Sequence, residues 1–284
     1  MLCLESLEPA LKEIDHEIFV VDNNSRDNTK NLTNKYFPYV NFIQNEKNVG
    51  FAKANNQAVK KASGNYIALV NPDTVIAEDT FSTLFKMANQ YKNHGILGLQ
   101  MRDGTGDFLP ESKVNKLTPL RAASRLLGFS NSYFNNRMPI DENNPTFTLV
   151  GAFMFFKKED YQSVKGLDES YFMYGEDIDL SYQFMESGKQ NYYIGSTSII
   201  HFKGESTLKD ATYLNRFFRS IMIYFDKYYS YSRWMQLWIK MFFGIAKPIK
   251  KLQSAKKTKS NQPKRLVVFT DNVSVAKQIA NNFS

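Results

Sequence analysis

Cysteine occurs once in the 284 residues, at Cys3; there are three histidines and two tryptophans. One thiol excludes an internal disulfide and suits a reducing compartment, so the expected location is the cytoplasm. The opening Met1-Leu2-Cys3-Leu4-Glu5 lacks the basic segment and long apolar core of a secretory leader. No internal repeat is visible. A Gly-rich, Arg- or Lys-bearing phosphate loop near the start is also missing, which argues against a nucleotidyltransferase. Beyond residue 213 no uncharged run approaches the roughly 20 residues that span a bilayer.

What is present is the composition of a folded protein, 43% hydrophobic and 23% charged, with a high aromatic share of 14%. The net charge of +8 is unevenly spread. Residues 213–265 hold thirteen Lys plus Arg against a single acid, Asp226, so the rest of the chain is slightly acidic. A basic tail of this kind calls for an anionic surface as partner. Within it, Leu214, Phe217, Phe218, Ile221, Phe225 and Tyr228 recur at helical spacing, and Trp234, Leu237, Trp238, Met241 and Phe242 continue the pattern. Two readings fit and can hold together: a helix pair lying on an anionic membrane, at the inner face of the cell membrane, or a helix pair packed on the preceding domain. Nucleic acid is not expected, because large apolar residues interleave with the charges. The expected division is a domain at 1–212, a basic amphipathic helical region at 213–254, and a linker with a short strand-helix tail at 255–284.

The first hundred residues alternate apolar runs with helical patterns. Strands are expected at 17–21, 41–44 and 66–70, with helices at 28–36 and 50–63 between them, which implies parallel strands joined by crossovers. Ligands of such sheets bind where loops leave the carboxyl ends of strands. Asp22 and Asp73 both fall there. Residues 102–146, rich in Asn, Gly, Pro and Arg, read as a long excursion with one helix at 119–127. A strand pattern returns at 147–157, a helix at 176–187, and two short strands at 190–194 and 197–201.

Several of these residues have the chemistry to transfer a group from a nucleotide diphosphate. Asp73 can offer a carboxylate to a metal, although an Asx turn or a cap for the next helix uses the same residue. Asp22 has the same ambiguity. Gly50 can bring a helix N-terminus close to a phosphate, weak evidence by itself. Glu176, Asp177 and Asp179 crowd the first turn of a helix, where the dipole favours acids. Three carboxylates within four residues exceed what capping needs, and their repulsion raises at least one pKa; Asp177 is the expected general base. His201, after the apolar run 197–200, is either a structural histidine or a metal ligand.

Taken in order, VVDNNSRDNT, NVGFAKANNQA, ALVNPDT, VGAFMFFKKEDYQSVKGLDESYFMYGEDIDL and HFKGEST resemble the inverting family 2 glycosyltransferases of GT-A fold, in particular their bacterial rhamnosyltransferase-like branch. The resemblance covers roughly residues 1–212. It implies an α/β, Rossmann-like, mixed and mostly parallel sheet flanked by helices, with a C-terminal helical appendage. Family members open with an apolar strand ahead of the helix that residues 2–11 resemble, so the first strand is expected to be lacking. By resemblance, Asp22 contacts the nucleotide base with Asn48 and Gly50 nearby, and Asn71 opens the metal motif whose Asp73 reaches Mg²⁺ or Mn²⁺. Gly151 and Ala152 lie beneath the donor sugar, Asp177 is the catalytic base with Glu176 flanking the acceptor, and His201 completes the metal site. The implied reaction is a single displacement, moving a sugar (rhamnose favoured) from a nucleotide-diphosphate donor to a cell-surface polysaccharide or lipid-linked acceptor. Lacking its first strand, the chain has a second reading as an inactive sugar-nucleotide-binding or scaffold protein. Gln183 stands where many relatives carry Arg, so any anion contact made there is lost.

Overall fold

A computed structural model describes residues 1–126, 132–202 and 211–229. The chain starts in α1 (Leu2–Leu11), whose Cys3, Leu7, Ala10 and Leu11 share one buried face. No strand precedes α1 among the described residues. Two βα units follow: β1 (Phe19–Asp22), α2 (Thr29–Tyr36), β2 (Asn41–Gln44) and α3 (Phe51–Lys61). β1 and β2 pair in parallel as a two-stranded sheet of their own.

The main sheet takes β3 (Tyr66–Val70), β4 (Thr74–Ile76), β5 (His94–Arg102), β6 (Asn144–Pro145), β7 (Phe153–Lys157) and β8 (Gln190–His201). Its order is β3-β7-β5-β8-β4, with β6 also on β8. The mixed sheet flanked by helices agrees with expectation, but "mostly parallel" needs correcting: within this sheet only β5 and β8 run parallel, and β3–β7, β5–β7, β4–β8 and β6–β8 are antiparallel. The cause is the excursion. It returns the chain to the middle of the sheet as β7, against the direction of the strands on either side.

Alternation along the central strands feeds two cores. Phe153 and Phe155 of β7, with Leu97, Leu99 and Met101 of β5, pack under α1 and α4 (Thr80–Gln90). Met154 and Phe156, with Ile96, pack on the opposite side under α3 and α7 (Glu176–Glu186). Strands covered on both faces are buried at every position, as β5 is over His94–Met101. The strands expected at 190–194 and 197–201 are one strand, β8, with a bulge: Ile194 opposes Leu99 and Ser198 opposes Gln100. Gly195 sits at this bulge. A Cβ there would lie 2.4 Å from the Ile140 carbonyl oxygen and 2.7 Å from the Glu142 backbone.

Residues 102–146 are more regular than expected. Val114 is buried and bridges both Phe134 and Thr148, and α5 (Pro119–Leu126) follows. This segment builds a third cluster with α8 (Ala211–Tyr228), whose Phe218, Ile221, Tyr224 and Phe225 pack on Val114, Leu117, Ala122, Tyr133 and Tyr171. For α8, the packed-helix reading is the one met. The continuation at 234–242 and the tail 255–284 lie outside the described residues.

A buried charge pins α8. Asp179 of α7 is fully buried and accepts from Tyr171 Oη, Gln183 Nε2 and Lys227 Nζ; the lysine also reaches Asp168 at 2.8 Å. Gln183 is thus not idle, and the positive charge on this carboxylate arrives from α8 instead. Lys227→Met strands Asp179 without its cation; we expect a loss of about 1–3 kcal/mol, below the fully buried case because the lysine side chain is one-third exposed. Urea titration measures this, and an unchanged midpoint overturns the pinning role.

Candidate active site

After β3 the chain turns through Asn71-Pro72-Asp73 into β4, and Thr74 lies opposite His201 at the end of β8. That pairing places His201 Nε2 3.3 Å from Asp73 Oδ1, with both side chains largely buried. The Phe202 N–H closes the corner by donating to the Asp73 carbonyl at 2.9 Å. The imidazole holds the Asp73 carboxyl below the usual carboxylate range. The other ring nitrogen, His201 Nδ1, is buried and has no partner among the described residues. A carboxylate oxygen and an imidazole nitrogen in one corner are donor types that would suit a divalent cation. Among the described residues no third His, Cys, Asp or Glu joins them.

The second focus is the start of α7. Gly175, at φ +86°, caps the helix and delivers Glu176 and Asp177 into its first turn. Asp177 Oδ2 accepts the Gly151 N–H at 2.9 Å and Oδ1 accepts the Ile178 N–H at 2.8 Å. Gly151 allows this approach: a Cβ there would sit 3.3 Å from the Asp177 Cβ and 3.8 Å from the Phe51 ring. Glu176 is buried with Oε2 unpartnered. Burial, then the charge of Asp177, pushes the Glu176 carboxyl up to about 8. Burial also raises Asp177, against the two N–H groups and the nearby Arg125 guanidinium. A helix dipole is worth about 0.3–1 kcal/mol and one pKa unit about 1.4 kcal/mol, so the dipole cannot offset burial here.

A third group gathers at the end of β1. Asp22 is buried; its Oδ1 accepts the Ser25 N–H at 3.0 Å and its Oδ2 accepts Gln44 Nε2 at 2.6 Å. Asn23 donates to the Gly50 carbonyl, and Asn48 Oδ1 accepts the Gly50 N–H at 2.9 Å. Gly50, at φ +92°, lies where a Cβ would come within 2.6 Å of the Phe172 carbonyl oxygen. That oxygen accepts the Phe51 N–H at 2.9 Å.

Backbone contacts join the three groups. The Asn71 N–H donates to the Ala152 carbonyl at 2.9 Å, one residue from the Gly151 N–H that holds Asp177. Phe51 and Phe172 connect the Gly50 turn to the segment leading into α7. The structure therefore brings together Asn71, Asp73, Gly151, Ala152, Glu176, Asp177 and His201, with Asp22, Asn48 and Gly50 linked through α3. Sequence reasoning missed Arg125, which stacks 3.9 Å from the Tyr133 ring centroid and acts on Asp177 through space. A basic residue in the helix of the Asn-, Gly-, Pro- and Arg-rich excursion was its only signal.

A mixed sheet between helix layers, with acids and a histidine converging at its strand ends, is the framework of a GT-A glycosyltransferase. The profile of Glycosyl transferase family 2 matches residues 2–164, and the chain belongs to that family of enzymes. It is 24% identical over 226 residues to the N-acetylglucosaminyl-diphospho-decaprenol L-rhamnosyltransferase of Mycobacterium tuberculosis, covering 73% of each chain. It is 28% identical over 162 residues to the rhamnosyltransferase WbbL of Escherichia coli K12, covering 54% of this chain and 61% of that one. In fold it is similar to residues 1–349 of S. aureus TarS in complex with UDP, at a TM-score of 0.51, 15% identity and coverage of 99% of this chain and 73% of that one.

With its carboxyl near 8 when folded and 4.5 ordinarily, Glu176 binds its proton more tightly in the native state. Its stabilising effect is therefore full at acid pH and is lost as pH rises through about 8. Glu176→Gln removes this slope, so the variant gains melting temperature relative to wild type between pH 5 and pH 8. Parallel melting curves across that range rule the effect out.

Proposed function

We propose that the chain transfers a glycosyl group, with rhamnose favoured, from a nucleotide-diphosphate donor to a lipid-linked or polymeric acceptor of cell-surface polysaccharide synthesis, inverting the anomeric carbon. The observation that carries this is the short path from Asp177 through Gly151 and Ala152 to Asn71 and the Asp73–His201 pair. It sets a carboxylate with a raised pKa beside a pair suited to a cation.

In this reading Asp177 accepts the proton of the acceptor hydroxyl, and Glu176 flanks the acceptor. A base with a pKa moved toward neutrality serves that step. Asp22, Asn48 and Gly50 bind the nucleotide; Asn71, Gly151 and Ala152 lie under the sugar. Asp73 and His201 hold Mg²⁺ or Mn²⁺, which when bound offsets the charge of the leaving diphosphate. The M. tuberculosis relative, named for a diphospho-decaprenol acceptor, and the UDP-bound TarS support the two substrate classes. The enzyme works in the cytoplasm at the inner membrane face, where the basic excess of residues 213–265 meets anionic lipid. Among the described residues no helix is long and apolar enough to cross a membrane.

Assayed across nucleotide sugars with Mn²⁺, Asp177→Asn lowers transfer by roughly 10²–10⁴-fold with donor affinity retained. Wild-type turnover by that variant refutes the assignment, and a retained anomeric configuration refutes single displacement. On anionic vesicles the chain sediments at low salt and is released at high salt; no binding at low salt removes the membrane partner.

A further inference from the structure

Beside the α7 cap, and outside the groups described above, lies a cleft of about 380 Å³ lined by Glu169, Phe172, Met173, Arg216, Arg219 and Ser220, among others. One wall is the segment leading into Glu176 and Asp177; the other is α8. Its position is fixed by three contacts. Ser220 Oγ donates to the Met173 carbonyl at 3.1 Å, and a Cβ on Gly175 would lie 3.2 Å from the Ser220 Cβ. Lys227, two turns further along α8, is bound to Asp168 and Asp179. The Arg216 guanidinium lies over the Phe172 ring, 4.6 Å from its centroid, and the Phe172 carbonyl is bonded to the Phe51 N–H. A cation–π contact uses the face of the ring and takes up none of the guanidinium's N–H donors in a conventional hydrogen bond.

Among the described residues neither Arg216 nor Arg219 has a carboxylate partner. The lone acid of the lining, Glu169, accepts from Asn56 Nδ2 at 3.1 Å, on the α3 side. Two arginines against one engaged acid leave the cleft net positive. Both sit one turn apart on the same helix, a spacing that lets two guanidiniums close on one phosphate group.

We propose that Arg216 and Arg219 form a subsite for a phosphate or diphosphate carried by the acceptor, holding that group beside Asp177 while the hydroxyl to be glycosylated faces the base. The proposal rests on the transferase reading above. In that reading the donor diphosphate is met at Asp73 and His201, neither of which lines this cleft, so the arginine pair serves a second anion. The chemistry is shared by two sources, a lipid diphosphate and a polyol-phosphate polymer.

The test uses the full chain in two assays. Inorganic pyrophosphate is titrated by calorimetry in EDTA into wild type, Arg216→Gln/Arg219→Gln and Arg216→Lys/Arg219→Lys. Wild type binds with salt-sensitive affinity, the Gln pair binds at least tenfold more weakly with an unchanged melting temperature, and the Lys pair recovers part of the loss. In transfer assays, three acceptors ending in the same sugar are compared: diphosphate-linked, polyol-phosphodiester-linked and an uncharged glycoside. The Gln pair lowers the preference for one charged acceptor over the uncharged one by at least tenfold, and the acceptor affected identifies the source. Equal pyrophosphate affinity in wild type and the Gln pair, or an unchanged acceptor preference, overturns the subsite. Absence of transfer by wild type to every acceptor refutes the transferase reading instead, and the pyrophosphate titration then decides the subsite alone.

Discussion

Gly151 donates its N–H to Asp177, and its neighbour Ala152 accepts from Asn71. Two adjacent peptide units at the start of β7 thus fix the spacing between the acidic end of α7 and the turn that carries Asp73. The Asn71–Ala152 bond is backbone to backbone, while the Gly151 bond ends on the Asp177 carboxylate and so also fixes that side chain's rotamer. A Cβ at Gly151 would make a tight 3.3 Å approach to the Asp177 Cβ and an ordinary contact with Phe51. β7 holds this position because it lies between β3 and β5 and is packed on both faces.

Three acids in the first turn of α7 meet three different environments. Asp179 is buried and neutralised by Lys227. Asp177 is partly exposed and held by two N–H groups. Glu176 is buried with one oxygen unsatisfied. The first fastens α8 to the domain, while burial raises the pKa of the other two. One short run of charge in the sequence therefore separates into a structural ion pair and a proton-handling pair, decided by which neighbours the fold supplies.

Much of the site was legible because it lies at strand ends that local patterns already marked. Asp22 and Asp73 follow apolar runs, and the acidic turn follows a glycine. The pairing of Asp73 with His201 was expected by resemblance alone, since residues 128 positions apart meet only through the register of β4 on β8. Less of the sheet could be read. β5 is buried at nearly every position without a regular alternation, and such a run does not declare its neighbours. The antiparallel course of β7 follows from where the excursion ends, which no local period encodes. The bulge of β8 at Gly195-Ser196 reads in the sequence as a break between two strands, 190–194 and 197–201. Lys227 and Arg125 were hidden for another reason: each acts on a carboxylate far away in sequence.

The two-stranded sheet that carries Asp22 has no backbone pairing to the six-stranded one among the described residues. It is attached by Phe19 packing into the core beneath α3 and by Glu17 accepting from the Ser63 and Gly64 N–H groups. Side-chain packing yields more readily than a hydrogen-bonded ladder. In the proposed reading, the end of the cleft that recognises the nucleobase is therefore the more adaptable one. Descendants of this fold can drift toward a different nucleotide there while the bond-making end stays as it is.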